Sequence, residues 1–109
     1  MAIFEVDENS FQDTLDAEFQ KNNIVILKFG SDFCDACMAL DTELEQVDEE
    51  ELNISIILVN TDDLPEIAEA YNVYQLPTMI IFTNKNHILH EGQGVILSDD
   101  ILKIINPSL

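Results

Sequence analysis

The apolar positions along this chain fall into two rhythms. Ile24-Val25-Ile26-Leu27-Lys28-Phe29, Asn53-Ile54-Ser55-Ile56-Ile57-Leu58-Val59-Asn60 and Met79-Ile80-Ile81-Phe82 are nearly continuous. Such runs predict strands covered on both faces. Between them the apolar residues recur every three or four positions, which predicts helices. Phe11, Leu15 and Phe19 mark a first helix over 10–21, with Ser10 and Asp13 resembling a capping box and Lys21 near its negative end. Cys37, Leu40, Leu44 and Val47 mark a second, starting near Cys34 and ending in the Asp48-Glu49-Glu50-Glu51 cluster, which reads as a solvated face. Pro65 in a first turn, then Ile67, Ala68 and Tyr71, mark a short third helix ending at Asn72 or Val73. Ser98 caps a fourth, whose Ile101, Leu102, Ile104 and Ile105 face inward, and Pro107 follows its end.

Ile3–Val6 predicts a short edge strand, and Asn84-Lys85-Asn86 a turn in which Asn takes positive φ. His87–Glu91 then pairs back, and Gly92-Gln93-Gly94 breaks the strand. The order is β-α-β-α-β-α-β-β-α. Helices between the early strands imply right-handed parallel crossovers; the close turn implies an antiparallel hairpin. The expectation is an α/β fold with a mixed five-stranded sheet and four helices, all in one domain, 1–109.

Charge narrows the partners. The chain carries 22 acidic and 4 basic residues, a formal net charge of −18. Nucleic acid and anionic membranes are repelled, whereas a partner with a basic face is steered in. No apolar run approaches the ~20 residues that span a bilayer. The first residues lack a basic region followed by an apolar block, so the expected location is the cytoplasm.

The chain has two cysteines, Cys34 and Cys37, at the junction of the first long apolar strand and the second helix. So short a ring constrains little of the unfolded chain, and the motif at a strand-to-helix junction points to redox exchange. Cys34 meets the unpaired N–H groups and positive pole of the helix start, which favour its thiolate. Cys37 belongs to the apolar stripe and is expected to be buried.

Three stretches together carry a resemblance: Phe33-Cys34-Asp35-Ala36-Cys37, Leu76-Pro77-Thr78 and Glu91-Gly92-Gln93-Gly94. Over nearly its whole length the chain resembles the thioredoxin family. The resemblance implies a thioredoxin-like fold and a protein-disulfide oxidoreductase in which Cys34 attacks and Cys37 resolves. Their reversible disulfide is the redox group, and no other cofactor is expected. It also implies a cis bond before Pro77. A groove for the target is expected from Phe33, Asp35, Ala36, Leu76, Pro77, Gln93 and Gly94. The implied partners are disulfide-containing proteins and a thioredoxin-reductase-like electron donor.

Three departures bear on the chemistry. Asp35-Ala36 stands where the family usually has Gly-Pro, and an anion beside Cys34 disfavours its thiolate and makes the couple more reducing. Lys28 occupies the strand position where the family buries an aspartate beneath the resolving cysteine. A neutral buried amine there can accept the Cys37 proton; a charged one stabilises a thiolate and needs an acidic partner. The plainer alternative is a stem that snorkels its head to the surface. The flanking tryptophans are replaced by Gly30 and Phe33.

Two rival functions fit parts of the sequence. His87 and His90 with the two cysteines supply four zinc ligands by count, but their spacing turns the histidines to opposite faces of a strand. An acidic binding module on the same fold, or a redox subunit dedicated to one partner, is the other.

Overall fold

The computed structural model describes residues 2–109. In chain order the elements are β1 (Ile3–Glu5), α1 (Phe11–Gln20), β2 (Ile24–Gly30), α2 (Asp35–Glu50), β3 (Ile54–Asn60), α3 (Pro65–Ala70), β4 (Thr78–Asn84), β5 (His87–Gln93) and α4 (Ser98–Ile105). The strands form one sheet in the order β1-β3-β2-β4-β5. β1 and β2 run parallel to β3, and β4 runs antiparallel to β2 and β5. No helix among the described residues is long and apolar enough to cross a membrane.

Alternation along the strands divides the interior into two layers. Val25, Leu27 and Phe29 meet Phe11 and Leu15 of α1, Leu64 at the N-cap of α3 and Ala68 within it. Ile24 and Ile26 meet Leu40, Leu44 and Val47 of α2 and Ile101 and Ile105 of α4. All seven residues of β2 are buried. Its continuous apolar run reflects cover on both faces. Lys28 shares parity with Ile24 and Ile26 and so points into the α2 layer.

Several local expectations change in detail. The Ser10 side chain makes no cap to α1. Instead Ser10 Oγ accepts the Asp7 N–H at 3.0 Å, and Asp7 Oδ1 accepts the N–H groups of Asn9 and Ser10 at 2.9 and 2.8 Å. Asp7 therefore builds the turn that starts the helix, and these bonds hold its carboxyl below the usual range. Leu97, not Ser98, is the N-cap of α4; the Ser98 N–H is taken by Glu43 Oε1 of α2 at 2.8 Å. β5 runs on to Gln93, and the break comes at Gly94, whose φ of +89° suits glycine.

The β4–β5 turn uses no positive φ at asparagine; Asn84 Oδ1 accepts the Asn86 N–H at 2.9 Å instead. The asparagines that do adopt positive φ are Asn22 and Asn72, after α1 and α3. Within the acidic cluster closing α2, Asp48 is buried and accepts the Ala2 N–H at 3.1 Å. Glu51 Oε1 receives the N–H groups of Leu52 and Asn53 at 3.1 and 3.3 Å.

Candidate redox site

β2 ends at Gly30, and Ser31 to Phe33 carry the chain to α2. Neighbouring bonds fix this passage. Thr61 donates its N–H to Gly30 O at 2.8 Å, and Asn60 Nδ2 donates to Asp32 Oδ1 at 3.1 Å. Cys34 is then the N-cap of α2, with extended φ and ψ, and its Sγ accepts the Cys37 N–H at 3.1 Å. A sulfur that caps a helix lies on the free N–H groups of the first turn, where negative charge is favoured. The two cysteines form a disulfide across 5.2 Å between Cα atoms. Their exposure differs: Cys34 is partly exposed and Cys37 is 1% exposed, packed on the sheet side of α2.

The antiparallel start of β4 lies at the same end of the sheet, because Phe29 pairs with Thr78. The Leu76–Pro77 bond is cis. Pro77 O accepts the Gly94 N–H at 2.9 Å, and Thr78 pairs with Gln93, so these two loops are joined. Phe33 is 98% exposed, and Leu76, Asp35, Ala36 and Gln93 are also exposed. The expected groove residues therefore lie on loops and ends at one pole, with Pro77 itself buried. Tyr74, 79% exposed just before the proline, adds an aromatic surface that the sequence reading missed.

Lys28 does not snorkel. Its side chain is 7% exposed, and Nζ lies 2.7 Å from Asp41 Oδ1. The approach is off-axis, so that buried oxygen lacks an aligned hydrogen-bond donor. Asp41 is one helical turn after Cys37 on the same face of α2, a spacing that could have marked it in the sequence. Gly30 lies beside both: a Cβ there would be 2.7 Å from Lys28 Nζ and 3.1 Å from Cys37 Cβ. A cleft of about 400 Å³ opens onto Lys28, Gly30 and Asp41 from the side of β1 and β3. The histidines take no part: His87 Nδ1 is 2.7 Å from Thr83 Oγ1, and no metal-binding group is found among the described residues.

A helix-capping sulfur bonded to a buried neighbour, at the end of a mixed sheet, defines a disulfide-exchange protein. The thioredoxin family model matches residues 2–107, and the chain belongs to that family. A thioredoxin of Chlamydia caviae is 31% identical over 88 residues, covering 81% of this chain and 85% of the relative. One of Pyropia yezoensis is 32% identical over 84 residues, covering 75% of each. Among solved structures, chloroplastic thioredoxin z superposes with a TM-score of 0.85 at 19% identity, covering 99% of this chain and 95% of that one. A Schistosoma mansoni thioredoxin superposes with a TM-score of 0.83 at 20% identity, covering 100% of each. These two likenesses speak for the fold. The chain is a thiol–disulfide oxidoreductase of the protein-disulfide type, and its redox group is its own cysteine pair.

Proposed function

We propose that Cys34 attacks a disulfide in a target protein and that Cys37 resolves the mixed disulfide. The observation that carries this reading is the asymmetry of the pair. Cys34 is accessible and caps a helix start, whereas Cys37 is sealed behind it. A docking chain can reach the first sulfur, and a bound target leaves only the second within reach to finish the exchange. Phe33, Asp35, Ala36, Leu76, Pro77, Gln93 and Gly94 form the groove. Apolar contact comes from Phe33 and Leu76, and backbone polar groups near Pro77 and Gly94 align the extended target.

On this reading 1–109 works as one domain in the cytoplasm. A thioredoxin-reductase-like donor recharges the dithiol, and neither nucleic acid nor membrane is a partner. A narrower clientele is favoured by one feature. The net charge is −18, and Asp32 and Asp35 flank the exposed pole. Targets whose disulfides lie in basic surroundings are then preferred, and the preference fades with salt.

The test is turnover of a protein disulfide with a chemical electron donor. Wild type turns over and Cys34→Ser does not; equal rates in the two would remove Cys34 from the chemistry. An inert wild type would favour the acidic binding module.

A further inference from the structure

Lys28 and Asp41 form an ion pair that an α/β core does not need for packing. Met79 and Leu58 flank Lys28 in the neighbouring strands, and Ile26 precedes it on the same face. A leucine or methionine would fill that place. Burying an ammonium instead carries a desolvation cost that a close, hydrogen-bonded partner can offset. Here the offset is incomplete, since Asp41 Oδ1 has no aligned donor. The ammonium is also held where it can act on the cysteines. Gly30 leaves empty the one spot that lies 2.7 Å from Lys28 Nζ and 3.1 Å from Cys37 Cβ. The amine and the Cys37 side chain therefore bracket the same small space. A charge within ~4–6 Å moves a neighbour's ionisation, and the amine lies next to the cysteine side chain.

We infer that Asp41 and Gly30 are positioning residues that hold Lys28 as a charged ammonium beside Cys37, where it stabilises the thiolate that resolves the mixed disulfide. The role rests on the reading of Cys37 as the resolving sulfur. The Cys37 thiol gives its proton to water at the cleft, and its thiolate stands against the Lys28 ammonium. That thiolate attacks Cys34 Sγ, the Cys34–Cys37 bond forms, and the bond from Cys34 to the target sulfur breaks. The electron pair leaves on the target thiolate, which takes up a proton. Lys28 keeps its proton throughout, which separates this role from that of a general base.

The geometry favours charge over base catalysis. A base would need its lone pair free and turned to the thiol, yet Nζ is engaged by Asp41 Oδ1 at 2.7 Å. Asp41 is 35% exposed, so it keeps contact with solvent while its partner is buried. The other charged groups that line the same cleft are Glu5 on β1, Asp32 before α2 and Asp63 after β3. All three are carboxylates, which disfavour a thiolate. Lys28 is the one cation lining the cleft among the described residues.

The experiment reads Cys37 directly. In a Cys34→Ser background Cys37 is the sole cysteine, and its ultraviolet thiolate absorbance follows ionisation with no target present. Adding Lys28→Met moves the midpoint up by about one pH unit or more, as loss of a nearby opposite charge requires. Lys28→Arg, which keeps the charge and cannot act as a base, stays within half that shift. Gly30→Ala leaves Lys28 in the chain but puts a methyl on the contested spot, and moves the midpoint the same way. Asp41→Asn removes an anion as well as the anchor, so its role is read from the coupling: Lys28→Met moves the midpoint less in an Asp41→Asn background than in its absence, and an equal or larger move there removes Asp41 from the positioning role. An unchanged or lowered midpoint in Lys28→Met, or in Gly30→Ala should Lys28→Met not fold, overturns the inference. So does an Arg variant as shifted as Met. A separate readout, release of a chromophoric thiol from Cys34 in the intact pair, tests the resolving role. If Lys28→Met shifts the Cys37 midpoint but not that release, the resolving role fails while the electrostatic one stands.

Discussion

Two lysine–carboxylate pairs sit at opposite ends of the sheet, and they are built in opposite ways. At the end away from the cysteines, the carboxylate is buried and the lysine is exposed: Glu18 accepts from Ser55 Oγ at 2.7 Å and from Lys21 Nζ at 2.8 Å. Asn23 Nδ2 in turn donates to Ser55 Oγ at 3.1 Å. Every buried polar atom there has a partner, and the cation keeps its water. At the cysteine end the lysine is buried, and its carboxylate partner is half-exposed with one oxygen poorly met. The satisfied network ties α1 to β3 and acts on stability. The half-satisfied pair contributes little there by comparison, and its charge faces a reactive sulfur.

That contrast breaks first at Glu18. Glu18→Gln is expected to cost about 2 kcal/mol of folding stability, the scale of buried hydrogen bonds to a charged group, with exchange activity of the folded protein unchanged. Burial works against Glu18 ionisation, but the bonds from Lys21 and Ser55 outweigh it and lower its pKa from 4.5. The ionised form is thus the one the fold stabilises. The gap between wild type and Glu18→Gln is full above pH 4.5 and closes as acid titrates the folded carboxyl, which urea unfolding at stepped pH measures. Lys28→Met gives the mirror image. Resolution at neutral pH slows by about threefold, because a one-unit rise in Cys37 cuts its thiolate about tenfold but makes the remaining thiolate about threefold more nucleophilic, while the unfolding midpoint stays level or rises because an apolar side chain replaces a buried charge. A stability loss in Lys28→Met as large as in Glu18→Gln would erase the distinction between the two ends.

Smaller effects sharpen it. Replacing Asp35-Ala36 by Gly-Pro removes an exposed anion beside Cys34, and equilibration against glutathione is expected to raise the potential by up to roughly 20 mV, the equivalent of the ~1 kcal/mol an exposed charge pair is worth. A lower potential would contradict the electrostatic reading of Asp35. The least effect is expected from salt: the rate against a basic target falls a few-fold between low and physiological ionic strength, and that against a neutral target does not.

The order of elements along the chain and the parallel crossovers were legible because β2 and β3 are apolar on both faces, and the helices show their period in Leu40-Leu44-Val47 and Phe11-Leu15. The cysteine pair and the Pro77 loop were legible as motifs. What escaped were polar residues whose partners lie far along the chain. Asp41 and Glu18 carry no signal in the apolar pattern and Asp48 reads as part of a solvated face, yet each meets a group brought by the fold: Lys28, Ser55 and the Ala2 N–H. Period and composition report which face is apolar, and they are silent on a carboxylate that is buried because a donor arrives from another element. Caps slipped for a related reason. Asp7 outcompetes Ser10 as the local acceptor, and Glu43 reaches the start of α4 from a different helix. The role of Gly30 became visible only as the gap between two side chains on neighbouring elements.

The most direct trial of the account is the mass of disulfide-linked adducts formed when each single-cysteine variant meets the same oxidised target protein. Cys37→Ser is expected to hold the target through Cys34, and Cys34→Ser to hold none because Cys37 is sealed. Adducts through Cys37, or none through either sulfur, would contradict it.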